Sequence, residues 1–89
     1  MRIAAAIPAF QAGASVGDVV RRTREVLPEV LVVDDGSSDA TAEAARGAGA
    51  ELVAHAVNRG KGAALVTAFR TLFGRGCDLV FRLGQRLRW

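Results

Sequence analysis

The sequence predicts an α/β domain, a parallel sheet of about four strands with helices on its faces. Strand-like apolar runs alternate with helical stripes in the order β-α-β-α-β-α-β, the pattern of a parallel sheet joined by right-handed crossovers. The run Val30-Leu31-Val32-Val33 is aliphatic and mostly β-branched, as expected of a strand buried on both faces. It runs straight into Asp34 and Asp35, then Gly36 to take the turn, then Ser37, Ser38 and Asp39 as candidate helix caps. Two carboxylates therefore stand where a strand ends and a helix begins, the edge at which open α/β sheets bind ligands.

The elements follow in order. Ile3 to Ile7 reads as the first strand, ended by Pro8, which lacks a backbone donor. Pro8 to Ala14 is a loop. Ser15 with Asp18 makes a capping box of the Ser-x-x-acid kind. Val16, Val19, Val20, Val26 and Leu27 form a helical stripe with Arg21, Arg22 and Arg24 facing water, and Pro28 stops that helix. After the central strand, Ala40 to Ala48 is an Ala-rich helix closed by Gly47 or Gly49. Glu51 to Ala54 is a third strand. A third helix runs from about Ala63 to Phe73, with Leu65, Phe69, Leu72 and Phe73 three or four apart. Gly74-Arg75-Gly76 turns the chain into a fourth strand, Cys77 to Leu83.

Composition narrows the function classes. At 89 residues the chain is one small domain, near the size at which a single core just suffices. No apolar run is long enough to span a bilayer, and the apolar start is cut short by Pro8, so it reads as a strand and not a leader. Cys77 is the one cysteine, which excludes a disulfide framework or a CxxC metal site; it reads as a small buried apolar residue, and a reducing cytoplasm fits. The net charge of +3 belongs wholly to the tail, because Arg82, Arg86 and Arg88 have no acidic counterpart after Asp78. No basic face with interleaved aromatics exists in the body, so nucleic acid is not an expected partner.

Three loops gather at one edge of the sheet: Pro8–Ala14, Asp34–Ser38 and Asn58–Gly62. Asp34 or Asp35 can accept from ring N–H groups of a nucleobase or help hold a cation; the alternative is an acidic turn that only caps the next helix. Arg59 and Lys61, beside the free N–H groups of a helix start, suit phosphate oxygens, and Gly60 and Gly62 let a ligand approach the backbone. The alternative for these cations is a solvated helix start. Gly60-Lys61-Gly62 is not a P-loop, and the first loop lacks G-x-G-x-x-G. His55, with no second ligand or nucleophile at a telling spacing, reads as a loop histidine without a catalytic role.

Taken together, Ile7-Pro8-Ala9-Phe10, then Val32-Val33-Asp34-Asp35-Gly36-Ser37-Ser38-Asp39-Ala40-Thr41, then Asn58-Arg59-Gly60-Lys61-Gly62-Ala63-Ala64 resemble family 2 glycosyltransferases over about residues 1–81. The likeness is nearest to the branch that glycosylates dolichyl or polyprenyl phosphates, the mannose synthase-like branch. The resemblance implies a GT-A fold, Rossmann-like, a UDP- or GDP-sugar donor, a polyprenyl phosphate acceptor, and Mg2+ or Mn2+ as cofactor. It places Pro8, Ala9 and Phe10 with Asp34 and Asp35 at base and ribose, counts Gly36 and Ser37 among the nucleotide-sugar-binding residues, and sets Asn58, Arg59, Gly60 and Lys61 beside the nucleotide.

The chain departs from the family twice. Gln11-Ala12 stands where relatives commonly read Asn-Glu, and no Asp-x-Asp metal motif occurs anywhere. Residues 1–83 are thus expected to be the nucleotide-sugar-binding half of a GT-A domain, with 84–89 a basic tail. A one-nucleotide shift through Gly84-Gln85-Arg86-Leu87 permits an Asp-x-Asp at the place the family carries it, which supports a frameshifted or truncated origin. On that reading the chain binds no metal and has no catalytic residue of its own, and an unprotected sheet edge favours self-association. The alternative is a non-catalytic remnant or weak nucleotide-binding module.

Overall fold

The computed structural model describes residues 1–83; the basic tail 84–89 lies outside the described residues. Four strands, β1 (Ile3–Ala9), β2 (Val30–Asp34), β3 (Glu51–Ala54) and β4 (Leu79–Arg82), form one parallel sheet in the order β3-β2-β1-β4. The helices are α1 (Val16–Arg24), α2 (Thr41–Gly47) and α3 (Lys61–Gly74).

The alternation of side chains along each strand divides the core in two. Ala5, Ile7 and Ala9 with Val30 and Val32 face α1 and α2, where Val16, Val20 and Ala45 meet them. Ala4 and Ala6 with Leu31 and Val33 face α3, where Ala64, Ala68 and Leu72 meet them. Strand β1 is mostly alanine, and so is the face of α3 packed on it, so α3 lies close over β1 and β2. Strands step outward from β1 to β3 on one face. The chain then returns over the other face to β4, as crossovers of equal hand demand. The reversal falls between β1 and β4, and all three βα loops open at the carboxyl edge of the sheet.

Several boundaries differ from the sequence reading. β1 continues through Pro8 to Ala9, in register with Val33 and Asp34. Ala5 bonds to Glu29 and Ala9 to Asp35 on the β2 side, whereas Ala6 bonds to Leu83 on the other. By alternation the Pro8 nitrogen faces the β4 side, and lacking an N–H it cannot carry that ladder on past the Leu83 bond to Ala6. The capping box does not form: Ser15 makes no side-chain cap bond, its backbone lying outside the extended region such a cap requires, and Asp18 pairs with Arg22 at 3.2 Å. α1 ends at Arg24, so Val26 is 81% exposed while Leu27 still packs on the core. β4 begins at Leu79, because Cys77 is still tied back to Leu72 at the end of α3.

The amino edge of the sheet is closed by charge. The Arg2 guanidinium grips Glu29 through two bonds of 2.9 and 2.8 Å and also donates to the Arg75 carbonyl, while Arg75 pairs with Glu51. Hydrogen bonding to Arg2 outweighs burial and holds Glu29 below the usual carboxylate range. Asp78 accepts from the Arg2 backbone at this same edge, away from the three loops.

Because Ile7 is wholly buried on the central strand, Ile7→Ala is expected to cost about 2–5 kcal/mol in urea unfolding. Val26→Ala should stay within about 0.5 kcal/mol of the parent.

Candidate functional site

The register Ala9–Asp34–Ala54 sets the three loops side by side at the carboxyl edge. Period-two alternation resolves the crowding of Asp34 and Asp35, since neighbours on a strand point to opposite faces. Asp34, 5% exposed, accepts from the Ser37 backbone at 3.1 Å and stays on the α1–α2 side. Asp35 turns toward α3.

Asp35 is fully buried and heavily engaged. Its Oδ1 accepts from His55 Nδ1 at 2.7 Å and from the Arg59 backbone at 2.9 Å; its Oδ2 accepts from the Gly60 backbone at 2.8 Å. Burial alone pushes this carboxyl up, but the His55 bond and the two backbone donors outweigh it and hold Asp35 below the usual carboxylate range. A carboxylate with three donors at fixed positions ties the Asn58–Gly62 loop to the end of β2.

The first loop is laced to the second by one side chain. Gln11, at φ 51°, accepts through Oε1 from the Ser38 backbone at 2.7 Å and donates through Nε2 to Ser38 Oγ at 3.0 Å. Ser37 Oγ accepts from the Gln11 backbone, Thr41 Oγ1 from Ala12, and an Asp39 oxygen from Gly13. Thr41 donates its hydroxyl to Asp39, and that bond first, with the Gly13 and Thr41 backbones, holds the Asp39 carboxyl low against the opposing effect of burial. Ser37, Ser38 and Asp39 thus serve chiefly as inter-loop ties, although Asp39 also accepts from the first backbone N–H of α2.

Gly36 is held at φ 76°, and a Cβ there would stand 2.4 Å from the backbone of Val57 and of Asn58. The second and third loops are in backbone contact at this point. The third loop ends at Gly60, φ 99°, the N-cap of α3. As in α1 and α2, no side-chain cap bond closes this helix start; unlike α1 with Asp18 and α2 with Glu43, it has no acidic residue in its first turn, and the buried Asp35 carboxylate takes the N–H of its N-cap Gly60. Open space lies in front of Gly60 and Gly62, and neither Arg59 nor Lys61 is in an ion pair among the described residues. The N–H groups and partial positive charge of a 14-residue helix, with two unpaired cations beside them, favour an anion here.

The structure brings Pro8, Ala9, Phe10, Asp34, Asp35, Gly36, Ser37, Asn58, Arg59, Gly60 and Lys61 to one edge. Pro8 and Ala9 are buried strand residues, Asn58 and Arg59 are exposed, and Gly60 and Lys61 are half-buried. His55 and Gln11 are the residues whose parts in this arrangement sequence reasoning missed. A histidine followed closely by a glycine-rich turn gives no sign of its partner, because Thr67 lies on the next helix. Among the described residues no group of three or more His, Cys, Asp or Glu side chains stands together to hold a metal ion. The described residues do not fit one. An apolar hollow of about 300 Å³, lined by Thr23, Val26, Leu27, Phe81 and Leu83, offers no charged group to a phosphate. No helix among the described residues is long and apolar enough to cross a membrane.

Comparison with known proteins agrees with this geometry. The model of the family described as Glycosyl transferase family 2 matches residues 5–81. A protein of Methanocaldococcus jannaschii, named Uncharacterized protein MJ1222, is 36% identical over 77 residues, covering 85% of this chain and 29% of that protein. Glucosyl-3-phosphoglycerate synthase of Mycobacterium tuberculosis, solved with Mn2+, UDP and glucosyl-3-phosphoglycerate, superposes with a TM-score of 0.74 at 29% identity, over 92% of this chain and 32% of that one. The same enzyme has been solved with Mg2+ and UDP. Mannosyl-3-phosphoglycerate synthase of Rubrobacter xylanophilus superposes with a TM-score of 0.63 at 29% identity, over 78% and 26% of the two chains. The chain spans about a third or less of the length of each of these relatives.

Two substitutions test the edge. Gly36→Ala places a side chain into the backbone of the third loop in a left-handed conformation, and should cost more than about 3 kcal/mol in denaturant unfolding. Asp35→Asn should cost about 2–4 kcal/mol at pH 7, since it turns an acceptor into a donor against fixed donors. Because folding lowers the Asp35 pKa, the folded state binds fewer protons. Its contribution is therefore complete above the unfolded value of about 3.9 and is lost as pH falls through the lower folded value. The stability gap between parent and Asp35→Asn should accordingly narrow on acidification below about pH 4, followed by circular dichroism.

Proposed function

The chain belongs to glycosyl transferase family 2, and from that premise we propose that it holds the nucleoside diphosphate of a UDP-sugar across its three-loop edge. The observation that carries this is the start of α3, which has no acidic residue in its first turn, is flanked by Arg59 and Lys61 and is open in front of Gly60 and Gly62, while the neighbouring Asp35 carboxylate is buried and bonded to the Arg59 and Gly60 amides. UDP is favoured over GDP because the mycobacterial relative is solved with UDP and with UDP-glucose.

In this reading Pro8, Ala9, Phe10 and Asp34, with Gly36 and Ser37, lie along the base and ribose. Asn58, Arg59, Gly60 and Lys61 lie along the diphosphate. Asp35, being fully buried, serves by holding the third loop in place. When an acceptor oxygen attacks the anomeric carbon and the bond to the diphosphate breaks, negative charge builds on the leaving phosphate. Arg59, Lys61 and the α3 N–H groups stand where that charge appears. The acceptor is phosphorylated: the mycobacterial relative is solved with phosphoglyceric acid, and the motifs also resemble those of the polyprenyl-phosphate branch. Self-association is supported by Leu79 and Phe81, 42% and 46% exposed on the edge strand β4.

Calorimetric titration tests the donor site. The 89-residue chain should bind UDP weakly, and Lys61→Ala should weaken binding about five- to tenfold, the loss of one charge-assisted contact of about 1–1.4 kcal/mol. Mn2+ should hardly change the affinity, because the described residues hold no metal cluster. No UDP binding, or an unchanged affinity in Lys61→Ala, would count against the assignment.

A further inference from the structure

His55 leaves β3 with its side chain 6% exposed, and both ring nitrogens are engaged. Nδ1 is 2.7 Å from Asp35 Oδ1 and Nε2 is 2.8 Å from Thr67 Oγ1 on α3. An ionised carboxylate has no proton to give, so Nδ1 carries the ring proton toward Asp35. In the neutral ring Nε2 is then an acceptor, and the Thr67 hydroxyl donates to it. The contacts form one chain from Thr67 through His55 and Asp35 to the Arg59 and Gly60 backbones. It spans the loop it serves: His55 is at the loop's start, Arg59 and Gly60 at its end, and Thr67 is on the helix the loop opens.

We propose that His55 is a positioning residue, locked by Thr67 and acting through Asp35 to set where the Arg59 and Gly60 backbone stands. What the loop is positioned to do rests on the donor-binding reading; the tie itself does not. Without the ring Asp35 could still accept from both amides, but Oδ1 would lose one of its two donors and the carboxylate would be held from the loop's end alone. The proposal requires that a change at Thr67 be felt at Arg59 and Gly60, to which Thr67 makes no hydrogen bond.

Amide hydrogen exchange on the 89-residue chain is the test. Thr67→Val keeps the side chain's shape and removes the hydroxyl; Thr67→Ser keeps the hydroxyl. Exchange at Arg59 and Gly60 should quicken about tenfold or more in Thr67→Val and return to within about twofold of the parent in Thr67→Ser. The Ala5 amide, bonded to Glu29 across the sheet, should be unchanged in both. Unchanged exchange at Arg59 and Gly60 in Thr67→Val would overturn the tie, and so would equal quickening at Ala5, which marks a general loss of stability. UDP affinity should fall severalfold in Thr67→Val and recover in Thr67→Ser; loosened amides with undiminished affinity would overturn the positioning role. If the parent chain binds no UDP, the donor-binding proposal falls, while the exchange rates still decide the tie.

Discussion

The buried carboxylate of Asp35 is the constraint on which the edge of this domain depends. A charge withdrawn from water survives only where its lone pairs are met, and here an imidazole and two backbone amides meet them. Those partners come from the third loop, so satisfying the charge also fixes the loop. The position of the α3 start, and with it the direction of its free N–H groups, follows from an electrostatic requirement at the end of β2. Gly36 adds a steric condition to the same junction, since only a glycine lets the two loops lie backbone against backbone.

The remainder of the fold delivers Asp35 to that place. Aliphatic β2 is buried on both faces, alternation sends Asp34 and Asp35 apart, and the shift from one sheet face to the other brings α3 over the side to which Asp35 points. The alanines of β1 and α3 allow a short crossing distance, which suits a small domain with few large core residues. The Arg2–Glu29–Arg75 network closes the opposite edge, so the two ends of the sheet have different work: one is sealed by paired charge, the other presents Arg59 and Lys61, which are in no ion pair among the described residues.

Much of this was legible in the sequence, because it rests on patterns that are local. The order of seven elements, the buried central strand, the glycine turn at Gly36 and the clustering of three loops all follow from periodicity and turn chemistry. The helix ends were less legible. Ser15 and Asp18 have the spacing of a capping box, yet the backbone at Ser15 takes a different conformation, and Val26 continues a stripe after the helix has ended. What the sequence could not show were the ties between loops. His55 meets Thr67 twelve residues on, and Gln11 meets Ser38 across 27 residues; neither spacing carries a periodic signal. Gln11 laces two loops together.

The central claim is that the carboxyl edge, organised by Asp35, receives a nucleoside diphosphate at the start of α3. The most direct measurement is a map of backbone amide chemical shifts during titration of the isotope-labelled chain with UDP. The account predicts the largest changes at Arg59, Gly60, Lys61 and Gly62, lesser ones at Phe10, Asp34 and Gly36, and none at Arg2 and Arg75. Changes centred on the Arg2–Arg75 edge, or spread evenly over the sheet, would contradict it.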